Sequence, residues 1–238
     1  MATLKEHGIL FSSAMVRAIL AGQKAQTRRL VKAQSAEAAD VWADNGDGTW
    51  SSGWRGDGGN LATLETVRAP HGPVGRRLWV RETWAEVDPD YREMVGGKPY
   101  VYRADYDPPA KGDYGMWCRR GSDPPIYWNG KWKPAIHMPR DAARITLEVT
   151  RVRVERVGDI SEEDAKAEGV EPVSCSCCER SNGGCTDGPM GRCCPCCNGT
   201  GIETCAVETY EALWDEINGA GSFAASPWVW VYDFRRVG

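Results

Sequence analysis

The 238-residue sequence predicts an α+β fold, a small mixed β-barrel with short flanking helices and a Cys-rich metal-binding insert. Three observations predict it. Short runs of alternating or continuous apolar residues recur along the chain, bounded by Gly, Pro and Asp. Helical spacing appears only in a few brief stretches. Nothing reads as repeated strand–helix–strand units, and no Gly-rich phosphate loop follows a strand.

The elements follow in order. Gly8-Ile9-Leu10-Phe11 reads as a strand. Ser12 or Ser13 caps a helix carrying Met15, Val16, Ile19 and Leu20, and Gly22 sits where a left-handed residue ends it. Gln23 to Val31 reads as extended, with Thr27, Arg29 and Val31 on one face and Arg28 and Leu30 on the other. From Lys5 to Lys32 six cations face a single acid, Glu6, so an acidic chain has a basic N-terminal segment. Residues 40–75 are rich in Gly and Asp and read as an exposed loop, with a loose hairpin between Trp42 and Trp50. Arg77 to Trp84 and Tyr100 to Ala104 read as strands, and 105–125 as loop. Asn129-Gly130 predicts a type I′ hairpin between Tyr127-Trp128 and Lys131-Trp132. Ile145 to Val157 is the clearest strand, with its register slipping near Thr150-Arg151. Ser161-Glu162-Glu163-Asp164 opens a short helix that runs to Glu168-Gly169. Thr209 to Ile217 is a second amphipathic helix, and Trp228 to Phe234 closes the chain as a strand.

Composition bounds the function. The hydrophobic fraction of 42% and charged fraction of 26% argue against global disorder. A net charge of −4 means that any nucleic-acid contact rests on a local basic patch. The longest apolar runs, such as Trp228 to Tyr232, fall far below the ~20 residues of a membrane span, so no membrane association is expected. The N-terminus does not read as a signal peptide, which makes the cytoplasm the expected compartment and metal binding the first reading of the ten Cys.

Cys175 and Cys178 form one C-x₂-C pair, Cys194 and Cys197 another, with fifteen residues between. That spacing matches a structural Zn²⁺ template, in which four thiolates close a tetrahedral site. The register stays open, because Cys193 and Cys196 can replace Cys194 and Cys197, or a second ion can bind. The run Cys194-Pro-Cys-Cys-Asn-Gly-Thr-Gly201 resembles the zinc repeat of DnaJ-type chaperones. The organisation expected is a barrel over 1–171 and 206–238, with a Gly-rich loop at about 36–75 and a zinc-knuckle insert at 172–205. The insert is also a candidate dock for a protein partner.

Gly22-Gln-Lys24-Ala-Gln-Thr27-Arg28-Arg29, Leu78-Trp-Val-Arg81-Glu82-Thr-Trp84, Ile145-Thr-Leu-Glu-Val149 and Pro227-Trp-Val-Trp-Val-Tyr-Asp-Phe234 together resemble the ASCH domain of the PUA-like superfamily. More narrowly, the chain is similar to longer ASCH proteins of phages and prophages, which would place it in a host cytoplasm. The resemblance implies recognition of RNA, DNA or a modified nucleoside. One small bacterial ASCH enzyme removes the acetyl group of N(4)-acetylcytidine, and its pattern is similar to G-x-K-x-x-T-x-R plus a Glu in a later helix. Position by position, the resemblance assigns Lys24, Thr27 and Glu168 to catalysis and Arg29 to the substrate.

Amide hydrolysis needs a base, a nucleophile and a donor for the oxyanion, which suits these residue types. Lys24 would activate Thr27 or a water, Glu168 would pass the proton to the leaving amine, and Arg29 or a backbone N–H would hold the oxyanion. Each residue also has an ordinary reading: Lys24 as a helix-end cation, Thr27 as a strand residue, Glu168 as a solvated helix end. Arg28, Arg81, Glu82, Trp84 and His137 are further candidates for contacting the ligand, with Arg81 and Glu82 expected to form a local ion pair. A non-catalytic nucleic-acid reader, a ribonuclease and an interaction protein remain as alternatives.

Overall fold

Capping, strand alternation and left-handed glycines build the elements that position the site. The computed structural model describes residues 6–32, 39–55, 61–97, 99–108, 116–122, 126–128, 130–174 and 202–237. In chain order the strands and helices are β1 (His7–Leu10), α1 (Ser13–Leu20), β2 (Gln26–Leu30), β3 (Val41–Asp44), β4 (Thr49–Arg55), β5 (Leu61–Arg68), β6 (Arg77–Arg81), β7 (Trp84–Glu86), β8 (Tyr100–Tyr102), β9 (Tyr106–Asp107), β10 (Trp117–Arg119), β11 (Tyr127–Trp128), β12 (Thr146–Arg156), α2 (Glu162–Ala167), β13 (Val173–Ser174), β14 (Ile202–Thr204), α3 (Ala206–Asn218) and β15 (Trp228–Arg236). This is a mixed α+β chain dominated by sheets. Among the described residues no helix is long and apolar enough to cross a membrane.

The largest sheet has the order β1-β6-β12-β15-β2. Its pairings end at β1 and β2, so the expected closed barrel is not formed among the described residues. The chain divides into two compact units. One holds residues 1–22, 74–150 and 234–238, and the other holds 23–73 and 151–233. β12 and β15 therefore each contribute to both. Thr150 and Arg151, consecutive and both exposed, interrupt the alternation of β12 where the predicted register slips.

In the first unit β1 runs parallel to β6, and β6 antiparallel to β12. Ile9, Leu78, Val80, Ile145, Leu147 and Val149 are all buried there. Ser12 caps α1 by accepting from the Met15 amide, and Gly22 ends the turn at φ +76°. The predicted strand 77–84 is broken at Glu82-Thr83. Glu82 turns inward to pair with Arg144 at 2.9 and 3.0 Å, and Arg144 also holds Asp105 at 2.8 Å. Arg144 stacks on Tyr102 at 4.1 Å, and burial of the Tyr102 hydroxyl pushes its pKa up to about 12. β9 and β10, inside the stretch read as loop, form a small antiparallel sheet with β11. Trp128 pairs with Trp117 there, which corrects the Asn129-Gly130 hairpin: β11 takes its partner from upstream, not from Lys131-Trp132.

In the second unit β2 pairs antiparallel with β15, from Gln26↔Asp233 to Leu30↔Val229. The expected hairpin between Trp42 and Trp50 is present as β3–β4, and the described residues of the Gly-rich segment add β5 to form a three-stranded antiparallel sheet where a loop was expected. Trp42 and Trp50 from this sheet meet Trp230 edge-on, with ring centroids 6.1 and 5.9 Å away. A second apolar cluster joins Val157, Ile160, Ala165, Tyr210, Trp214, Val229 and Val231 around α2 and α3. Glu162 of α2 accepts from the amides of Ala206 and Val207, capping α3 from outside that helix.

Candidate functional site

The residues that the sequence singled out at 24–29 and 168 meet in the second unit. β2 supplies one side and α2 the other. Ser161 caps α2 by accepting from the Asp164 amide at 3.1 Å. Glu168 takes the C-cap position and Gly169 turns the chain away at φ +86°. An isolated antiparallel bridge joins Lys24 to Glu168, and the Ala25 amide donates to the Ala167 carbonyl at 2.8 Å. The backbone thus fixes the approach of the two side chains. Lys24 Nζ donates to Glu168 Oε2 and to the Glu168 carbonyl, both at 2.7 Å. The side chains are 0% and 4% exposed.

A wider polar network surrounds this pair. Alternation along β2 sends Gln26 and Arg28 to the same face. Arg28 donates through Nη2 to Glu155 Oε1 at 2.6 Å and to Asp164 Oδ2 at 3.0 Å, and through Nη1 to Gln26 Oε1 and, at 3.4 Å, to Glu168 Oε1. Arg153 binds the other oxygen of Glu155 at 2.9 Å, Asp164 at 2.8 Å and Asp233 at 3.0 Å. Gln26 donates to Asp164 at 2.8 Å and to Asp233 at 2.6 Å. Every acid of the network faces a cation or an amide, as buried charge requires.

The electrostatics follow from burial. Desolvation holds the Lys24 ammonium below the usual lysine range. Glu168 opposes that shift, while the charges of Arg29 and Arg28 reinforce it. Arg29 is held below the arginine range, chiefly by burial, with the Glu168 carboxylate foremost among the groups opposing it. Desolvation likewise raises the Tyr210 and Tyr232 hydroxyls, so both stay protonated.

For Asp164 burial acts to raise the carboxyl. The hydrogen bond from Gln26 and the charges of Arg153 and Arg28 outweigh it, and the net shift is downward from 3.8. A carboxylate with a depressed folded-state pKa contributes stability above its unfolded value and loses it as pH falls through the folded one. The expected result is a fall in urea midpoint between pH 5 and about pH 2 that is smaller in Asp164→Asn than in the parent chain. Equal falls in the two proteins would deny Asp164 this role.

The structure places the other candidates differently. Thr27 is 1% exposed and lies opposite Tyr232 in the β2–β15 register. Lys24 Nζ is engaged with Glu168. Arg28, expected to contact a ligand, is enclosed and committed to internal acceptors. Arg81, Glu82, Trp84 and His137 belong to the first unit. The expected Arg81–Glu82 ion pair does not form, because neighbours in an extended chain point to opposite sides. Glu82 pairs with Arg144, while Arg81 donates to the Ile136 carbonyl and stacks on Trp79 at 5.3 Å. Trp84 is a core residue at 2% exposure, and Lys133 sits over its ring at 4.8 Å. His137 lies exposed in a 3-10 turn. Cys175, Cys178, Cys194 and Cys197 lie outside the described residues.

Gln26, Arg153, Glu155, Asp164 and Asp233 were missed as site residues. A signal for some of them existed: Asp164 and Glu168 are spaced i, i+4 on one helix face, and Gln26 and Arg28 i, i+2 on one strand face. In comparisons with known proteins, no protein-family model, no curated protein and no solved structure matches this chain.

Proposed function

We propose that the chain recognises a nucleic acid or modified nucleoside as an ASCH-type, PUA-like protein, and that it hydrolyses the amide of an N(4)-acetylcytidine-type nucleoside. The observation that carries this reading is the buried Lys24–Glu168 pair, with 2.7 Å between Nζ and Oε2. Two of the three residues that the motif resemblance assigns to catalysis, far apart in sequence, are in direct contact. Burial lowers the pKa of Lys24, the direction that eases loss of its proton and suits a general base. In the proposed reaction a water, or the Thr27 hydroxyl in a first half-reaction, gives its proton to Lys24 as its oxygen attacks the acetyl carbon. Lys24 passes that proton to Glu168, which delivers it to the exocyclic nitrogen as the C–N bond breaks and cytidine leaves; when water is the nucleophile, acetate leaves in the same step. When Thr27 is the nucleophile, water then hydrolyses the acetyl ester. Arg29 stabilises the oxyanion. In the same proposal Cys175, Cys178, Cys194 and Cys197 hold a structural Zn²⁺. The antiparallel pairing of β13 with β14 at the two flanks of the insert supports a segment closed at its base.

The test is incubation of the purified chain with N(4)-acetylcytidine and chromatography for cytidine. Lys24→Ala is expected to lower turnover at least about 100-fold. Conversion unaffected by that substitution would refute the assignment of the base. A second reading, a non-catalytic reader, is favoured by the enclosure of both Lys24 and Thr27. It is supported if the parent chain binds a modified oligonucleotide without releasing cytidine.

A further inference from the structure

Glu168 presents its two oxygens to two different cations. Oε2 accepts from Lys24 at 2.7 Å, and Oε1 faces Arg28 at 3.4 Å. Arg28 does not reach outward, since its side chain is 0% exposed. Its other contacts come from three separate elements: Glu155 on β12, Asp164 on α2 and Gln26 on β2. The ring of Tyr210 lies 5.9 Å from the guanidinium carbon. A planar fork held from three directions has little freedom to rotate, which a lysine ammonium would retain. Arg153 in turn holds two of these anchors, Glu155 and Asp164, so they are themselves braced.

A carboxylate with only one cationic partner can turn either oxygen, or both, toward it. Arg28 occupies the space beside Oε1 and draws that oxygen away from Lys24. Resting on the reading of Lys24 and Glu168 as the working pair, we propose that Arg28 is a positioning residue, which holds Glu168 Oε1 so that Lys24 meets Oε2 alone and proton exchange within the pair follows one fixed line. Arg28 therefore acts through Glu168 and not on the substrate. Its positive charge also disfavours the Lys24 ammonium, together with Arg29 and against Glu168. The arrangement holds Glu168 in place and limits how far it can stabilise charge on Lys24.

The experiment follows the Lys24 side chain by NMR in the full chain with ¹³Cε-labelled lysine, the signal being assigned by its loss in Lys24→Met. In Arg28→Gln, Lys24 is expected to titrate at higher pH than in the parent chain, because a competing cation has gone. In Glu155→Gln, which frees Arg28 toward Glu168 and removes a negative charge, it is expected to titrate at lower pH. Turnover of N(4)-acetylcytidine by Arg28→Gln should fall about 100-fold in kcat with KM changed less than about twofold, as expected of misalignment rather than lost binding. A folded Arg28→Gln whose Lys24 titrates as in the parent chain would overturn the proposal, as would shifts of the same sign in both variants. If Arg28→Gln does not fold, Glu155→Gln decides: a downward shift supports the proposal and any other outcome overturns it. If the parent chain releases no cytidine, the proposed reaction fails, while the two titrations still decide whether Arg28 positions Glu168.

Discussion

Lys24→Met is expected to destabilise the protein by about 3–5 kcal/mol, measured as the change in unfolding free energy in urea, because it strands a carboxylate at a site from which water is excluded. Glu168 Oε2 and the Glu168 carbonyl both lose the Lys24 ammonium, each at 2.7 Å. Arg28 remains at 3.4 Å with its stronger contacts elsewhere, and the charge of Arg29 also acts on Glu168. Glu168→Leu is expected to be costly for the converse reason, since it leaves a buried ammonium. The double variant Lys24→Met/Glu168→Leu should recover much of the loss, because it removes both charges and leaves apolar side chains in the same space. A double variant as unstable as the sum of the two singles would show that the ion pair is not the unit of stability here. The same cycle separates stability from chemistry. If the pair performs the proposed hydrolysis, the double variant regains stability without regaining turnover.

The fold was legible wherever local chemistry decides it. The Ser12 cap, the Gly22 turn, the Ser161 cap and the apolar faces of β12 and β15 all depend on residues within a few positions of one another. The β3–β4 hairpin was legible between Trp42 and Trp50, but the third strand β5 was not, because the Gly- and Asp-rich composition of 40–75 carries turn propensity. What orders that stretch is burial of Trp42 and Trp50 against Trp230, a contact between residues far apart in sequence. β9 is two residues long, too short for periodicity to register, and for β11 the strand was read but its partner was not. Motif resemblance singled out Lys24 and Glu168, and the structure shows that they touch. Arg153, Glu155 and Asp233 read in the sequence as ordinary strand charges. Only the pairing of β2 with β15 and the packing of α2 reveal that they face one another. Arg28 was singled out for a ligand contact, and the structure directs it to internal acceptors, since a run of cations does not state which side each one faces.

The second large effect concerns that long-range contact. Trp230→Ala is expected to cost about 3–5 kcal/mol for the volume removed, with a further ~0.5–1.5 kcal/mol for each aromatic pair lost. Trp230 is 2% exposed, and Trp42 and Trp50 both approach it edge-on. The loss should not spread evenly. The ladder bonds of β3-β4-β5 remain possible in the variant, but the two indoles that seat this sheet no longer have a partner. Amides of Trp50, Ser51 and Ser52 should therefore exchange with deuterium much faster than in the parent chain, while the amides of α2 change less. Trp230→Phe, which keeps a ring in the cavity, should retain most of the protection. If Trp230→Ala left exchange in β4 unchanged, the sheet would be held by other contacts, and the Gly-rich segment would be stable on its own. Trp230 is also the register partner of Arg29. Loosening β15 here is thus expected to disturb Arg29 and to lower any cytidine release, even though Trp230 lies outside the network of ion pairs. An effect on β4 exchange without an effect on turnover would place the two consequences on opposite faces of β15.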